Sequence, residues 1–115
     1  MKGGMMYEQR DIVLVPFPYS DLTGAKQRPA LIISNKKLNE YQDRICCLIT
    51  SNAPSDGMEI RKYILSEGNL PFQSWIKPHR LFTIHEKIII KKLATITEKF
   101  HDQVIETIIK HVRRD

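Results

Sequence analysis

The sequence predicts a mainly β domain, a small barrel with one helix packed on it. Three observations lead there. Short apolar or β-branched runs recur at residues 11–17, 29–34, 44–50, 58–65, 74–84 and 91–96. Turn-forming segments, among them 53–57 (APSDG) and 66–71, separate several of them. The chain then closes on one amphipathic helical pattern. Several short strands joined by turns must bury one face, and one helix is available to cover it.

Each element has its own signal. The first run carries Pro16 and precedes Pro18, which predicts an edge or a bend at its end. The second starts at Pro29. Residues 35–43 are polar without a clear period and read as a loop or a short helical turn. Residues 44–50 are apolar and β-branched, a third strand. In 58–65, Met58, Ile60, Lys62 and Ile64 alternate with Glu59, Arg61 and Tyr63, a fourth strand. Residues 66–71 read as a loop, and 74–84 as a fifth strand interrupted near Pro78. Residues 85–90 allow one helical turn before a sixth strand at 91–96. Thr97 is placed to cap a helix from Glu98 to about Arg113. Phe100, Val104, Ile105, Ile108 and Val112 form its apolar stripe. Glu98 complements the positive end of the helix dipole, and Lys110, His111, Arg113 and Arg114 the negative end.

Composition bounds the function. The 115 residues suit one domain, with 7–115 as its body and 1–6 (MKGGMM) as a flexible leader. That leader has no apolar stretch of a secretory signal, and no run approaches the ~18 apolar residues of a membrane span. A cytoplasmic location is the default. The net charge of +5 fits either an anionic partner or a basic surface that only favours solubility. Cys46 and Cys47 are adjacent on a strand and so point to opposite faces, which reads as two reduced core residues. No zinc or metal-ligand spacing occurs, and no cofactor or metal is expected.

The richest stretch is 11–35. Two β-rich runs hold out a polar, hydroxyl-bearing loop that ends in Arg28-Pro29. A guanidinium fork, hydroxyls and backbone N–H groups can together hold a phosphate backbone. Arg28 is the first candidate, its backbone restricted by Pro29. Thr50 is the second, because it ends an apolar strand where its hydroxyl can leave the core. Ser51 and Asn52 follow it. Ser20, Thr23, Lys26 and Gln27 lie in the first loop and would contact such a phosphate backbone. His79 and Arg80 lie side by side on the fifth strand, where His79 either serves a site or rests on the surface. Trp75 either stacks on a base or fills the barrel. His101 and His111 belong to the helix.

Residues Asp11-Ile12-Val13, the loop Asp21 to Gly24, Arg28-Pro29 and Ser34 resemble the opening of the MazF/PemK family of toxin–antitoxin ribonucleases. Leu48-Ile49-Thr50-Ser51-Asn52 resembles the family's third-strand ending, and Leu81-Phe82-Thr83-Ile84 a later strand. The resemblance covers about residues 8–112. It implies an SH3-like barrel, a homodimer, and metal-independent cleavage of single-stranded RNA with Arg28 and Thr50 as catalytic residues. It also implies an acidic antitoxin protein as partner. Phe82 stands where the family often has arginine. Two alternatives are a non-catalytic RNA-binding barrel and a gyrase-inhibiting toxin of the CcdB type.

Overall fold

The computed structural model describes residues 6–17, 26–54 and 56–115. Its strands are β1 (Asp11–Phe17), β2 (Lys26–Ile32), β3 (Asp43–Thr50), β4 (Met58–Ile60), β5 (Leu65–Gly68), β6 (Ser74–His85) and β7 (Lys91–Ile96). The helices are α1 (Lys36–Asn39) and α2 (Glu98–Val112), with 3-10 turns at Lys62–Ile64 and Glu86–Ile88. All seven strands form one sheet in the order β4-β6-β3-β2-β1-β7-β5.

The order shows why the sheet curls. β4 and β5 are its two ends, yet Ile60 and Leu65 are only five residues apart. Five residues span at most about 18 Å. Seven strands laid flat would hold their edges roughly 29 Å apart. The sheet therefore wraps into a nearly closed barrel, as expected from sequence.

Alternation then sorts the core into two clusters on opposite faces. Ile12, Leu31, Cys47, Ile49, Ile76 and Ile96 face one way and are covered by Phe100, Val104 and Ile108 of α2. Val13, Val15, Ala30, Ile32, Cys46 and Leu48 face the other way, where Tyr7, Phe82, Ile84 and Ile89 pack. The adjacent cysteines thus belong to different clusters, both as buried free thiols. Burial pushes each thiol up to about 12, so neither is a ready nucleophile.

Several expectations change in detail. β1 is central, between β2 and β7. Its pairing with β7 ends at Leu14, so Pro16 meets no ladder on that side and bonds are shared with β2 alone. The run 58–65 is broken by the 3-10 turn at Lys62–Ile64, because the chain must cross there from one sheet edge to the other. The expected loop at 66–71 begins as β5, paired with β7. Gly68 has φ +78°, and a Cβ there would collide with the Leu93 carbonyl. In β6 the partners jump from Lys77 (opposite Leu48) to Leu81 (opposite Cys47), leaving Pro78, His79 and Arg80 in a bulge.

α2 begins as expected, with the Thr97 hydroxyl accepting from the Phe100 N–H at 3.2 Å. Its stripe is shorter than the pattern implied. Phe100, Val104 and Ile108 are buried, Ile105 is partly buried, and Val112 is exposed. Among the described residues no helix is long and apolar enough to cross a membrane.

His101 is also buried, with no hydrogen-bond partner at Nε2. Burial lowers its pKa, Asp102 opposes that, and Arg10 adds to it. The neutral ring is therefore favoured in the fold, while the unfolded chain takes up a proton first as pH falls. Stability should be full above the unfolded value of about 6.5 and decline below it. Melting at pH 7.5 and 5.5 checks this. His101→Leu should show a smaller drop between the two than the native chain, and an equal drop would refute the assignment.

Candidate functional site

The first acid of the opening motif proves structural. Asp11 is buried and accepts from the Glu8 N–H at 2.9 Å and the Thr95 hydroxyl at 3.0 Å. Lys92 Nζ lies 3.5 Å from it and 3.4 Å from Glu67. Burial works against the charge of Lys92, but Asp11 and Glu67 outweigh it and raise its pKa. The network ties the start of β1 to β7 and gives the buried Asp11 a structural duty.

The paired ladder of β2 and β3 ends at Ala30 opposite Leu48. Continued by two residues, the same antiparallel register faces Arg28 with Thr50. Val15 lies opposite Arg28, and Trp75 lies opposite Thr50. Val15, Arg28, Thr50 and Trp75 therefore form one row on one face of the sheet. The β2–β3 ladder itself stops short of Arg28 and Thr50, where the two strands part, and Thr50 is not among the residues that line the groove beside Arg28. Thr50 is partly buried, and its Oγ1 accepts from the Asn52 N–H at 3.1 Å. That bond turns the chain at the strand end and fixes the hydroxyl oxygen.

A groove of about 350 Å³ opens at this parting. Leu14, Pro29, Ile49 and Leu93 supply its apolar residues, from four neighbouring strands. Gln27, Arg28, Ser51, Ser74 and Lys91 supply its polar ones, and Pro71 and Phe72 complete the wall. By alternation Arg28 belongs to the Thr50 row and borders the groove rather than flooring it. Among the described residues, two cations and two hydroxyl residues line this groove, and no carboxylate does. Two other grooves differ in kind, since Glu8 lines one and Glu59 the other. The cations of the first groove favour an anion there.

The remaining candidates are distributed. Ser51 and Gln27 line the groove, and Asn52 is exposed beside Ser51. Lys26 and Gln27 are not loop residues: they open β2, paired with Phe17 and Pro16. The hairpin ladder extends past Arg28, which holds its backbone straight. Ser20 and Thr23 lie outside the described residues. His79 and Arg80 do not line the groove. His79 sits 3.5 Å from Asp56 and meets the His111 ring edge-on at 6.2 Å. Phe82 lies opposite Cys46 and packs in the second cluster, so this position serves the core. Trp75 is partly buried beside Thr50.

Sequence reasoning missed Phe72, Ser74 and Lys91. Lys91 reaches the site only because β7 pairs with β1, setting it opposite Leu14. No local pattern signals that pairing. Among the described residues, no three His, Cys, Asp or Glu side chains are grouped as a metal site would need.

The fold has clear counterparts. The MazE–MazF structure (Form-II) from Deinococcus radiodurans matches with a TM-score of 0.76 at 14% identity, covering 95% of this chain and 97% of that one. The Mycobacterium tuberculosis toxin MazF-mt6 matches with a TM-score of 0.69 at 16% identity, covering 92% and 99%. An endoribonuclease in complex with its cognate antitoxin, from Mycobacterial species, matches with a TM-score of 0.67 at 13% identity, covering 95% and 99%. At such identities the likeness is one of fold. No curated protein sequence is significantly similar to this chain. The sequence profile of PemK-like, MazF-like toxins of type II toxin–antitoxin systems, however, matches residues 8–112. With nearly the whole chain inside that match, the chain belongs to the PemK-like, MazF-like toxin family of type II toxin–antitoxin systems.

Proposed function

We propose that this chain is a metal-independent endoribonuclease toxin that cleaves single-stranded RNA at the parting of β2 and β3. The observation that carries the reading is the groove beside Arg28, with Lys91, Ser51 and Ser74 and, among the described residues, no carboxylate. In the proposed reaction the ribose 2′-oxygen attacks the adjacent phosphorus, and the bond to the 5′-oxygen breaks. The 2′-hydroxyl loses its proton and the departing 5′-oxygen gains one. The products are a 2′,3′-cyclic phosphate and a 5′-hydroxyl.

Arg28 binds two phosphoryl oxygens and stabilises their charge as the transition state forms. The planar guanidinium fork makes charge stabilisation its main role. Thr50 positions the phosphate through its hydroxyl. Lys26, Gln27, Ser51 and Asn52 hold the flanking backbone, with Ser20 and Thr23 on the loop. His79 and Arg80 belong to a more distant part of the RNA path. An acidic antitoxin protein covers the groove, and the barrel, one domain over 7–115, acts as a cytoplasmic homodimer. The net charge of +5 and the family's toxin–antitoxin character support that partner.

The purified protein should cleave a long single-stranded RNA in EDTA and leave 5′-hydroxyl ends. A 2′-O-methyl sugar at the cut site should block cleavage there. Normal cutting of the methylated substrate, or a requirement for Mg²⁺, would overturn the mechanism. RNA retained without cleavage would favour a binding barrel instead.

A further inference from the structure

Phe72 is the most exposed aromatic at the proposed site, with 72% of its surface open. It and Pro71 line the Arg28 groove. The same two residues also line a second groove of about 270 Å³, with Ile60, Lys62, Leu65, Asn69, Leu70 and Gln73. Phe72 is therefore the ridge between two adjoining grooves. A large ring left in water on a polar-rimmed ridge loses the burial it would have gained in the core. Neither core cluster includes it among its packed residues.

We propose that Phe72 is a base-stacking platform, and that the second groove holds the nucleotide flanking the cleaved step. This rests on the ribonuclease reading above and adds a specificity subsite to it. Each base has a π-face, so an exposed ring at a bend in the path can hold one base without reading its identity. The second groove then supplies what could read it. Asn69 carries a paired donor and acceptor suited to a base edge, Gln73 donates to Glu59 at 2.5 Å and offers its amide oxygen, and Lys62 meets the next phosphate. Its apolar floor of Ile60, Leu65 and Leu70 accepts the faces of base and sugar. RNA is the occupant favoured because the second groove continues the first and carries Lys62, with no carboxylate in its lining among the described residues and Glu59 held by Gln73.

The test uses an uncleavable 2′-O-methyl RNA library, fluorescently labelled, and a 5-iodouridine version for photocrosslinking. Phe72 should be the crosslinked residue, located by mass spectrometry. Phe72→Ala and Phe72→Leu should weaken binding about tenfold, while Phe72→Trp should keep it. Lys62→Ala should lower the salt dependence of binding by about one phosphate contact. Melting curves should not move, since Phe72 is exposed. If Phe72→Leu binds like the native chain, or the crosslink falls only on Trp75, the platform is wrong even where cleavage is normal. If Phe72→Ala binds RNA normally but loses an acidic peptide, the ridge serves a protein partner and the inference fails. If the native chain neither binds nor cleaves RNA, the ribonuclease reading fails as well.

Discussion

Arg28→Ala should lower the RNA cleavage rate by about 10²–10³-fold and leave the melting temperature nearly unchanged. The side chain stands at the border of the groove, on the row of Thr50, and no core cluster depends on it. Its backbone is held independently by the pairing with Val15 and by Pro29. Removing the guanidinium thus removes charge stabilisation without loosening the hairpin. Arg28→Lys separates charge from geometry. A lysine restores the positive charge but presents one ammonium where two phosphate oxygens met a planar fork. It should recover only a small part of the lost rate. Single-turnover cleavage of one defined RNA, with circular dichroism melting of each variant, checks both. A native rate in Arg28→Ala would remove Arg28 from the site and with it the reaction assigned to the groove.

The largest stability effect is expected far from that groove, at Arg44. This arginine is fully buried, yet its charge is used. Nε donates to the Tyr7 carbonyl at 3.0 Å. Nη1 donates to the Tyr41 and Asp43 carbonyls at 2.8 Å and 2.9 Å. Nη2 lies 3.7 Å from the Glu86 carboxylate. One guanidinium therefore ties the N-terminal segment, the turn before β3 and the 3-10 turn after β6. Arg44→Ala would leave three carbonyls and a partly buried carboxylate without this partner, and a cavity behind them. The expected cost is about 3–5 kcal/mol, as for other broken buried pairs. For a domain of this size that is a fall of more than about 10 °C in melting temperature. Chemical denaturation gives the value directly. A loss below about 1 kcal/mol would mean that water replaces the guanidinium at little cost. Arg44→Lys should lie between, because one ammonium cannot serve all four acceptors in their present directions.

Arg44 also marks where reading the chain alone falls short. An arginine at the start of an apolar run looks like the solvated end of a strand. Nothing nearby in the chain announces that Tyr7 and Glu86 will converge on it. The pair proposed as catalytic was more legible. Arg28-Pro29 opens an apolar run and Thr50 closes another, so any antiparallel pairing of the two runs brings them near each other. The helix was clearest of all, because Thr97, Glu98 and the Phe100, Val104, Ile108 spacing are local signals of cap, dipole and stripe.

The sequence by itself determined the class of the fold, the helix and its cap, most of the strands, and the inertness of the two cysteines. Each of these follows from side chains a few residues apart, through alternation, helical period and turn chemistry. Tertiary structure alone decided the strand order and the break at Lys62–Ile64. It also set the structural duty of Asp11, the packing of Phe82 and the arrival of Lys91 and Phe72 at the groove. The reason is closure. Curling the sheet brings β7 beside β1, and the loop before β6 beside the end of β2. Those neighbours are 40 to 80 residues apart in the chain, and no local preference encodes them.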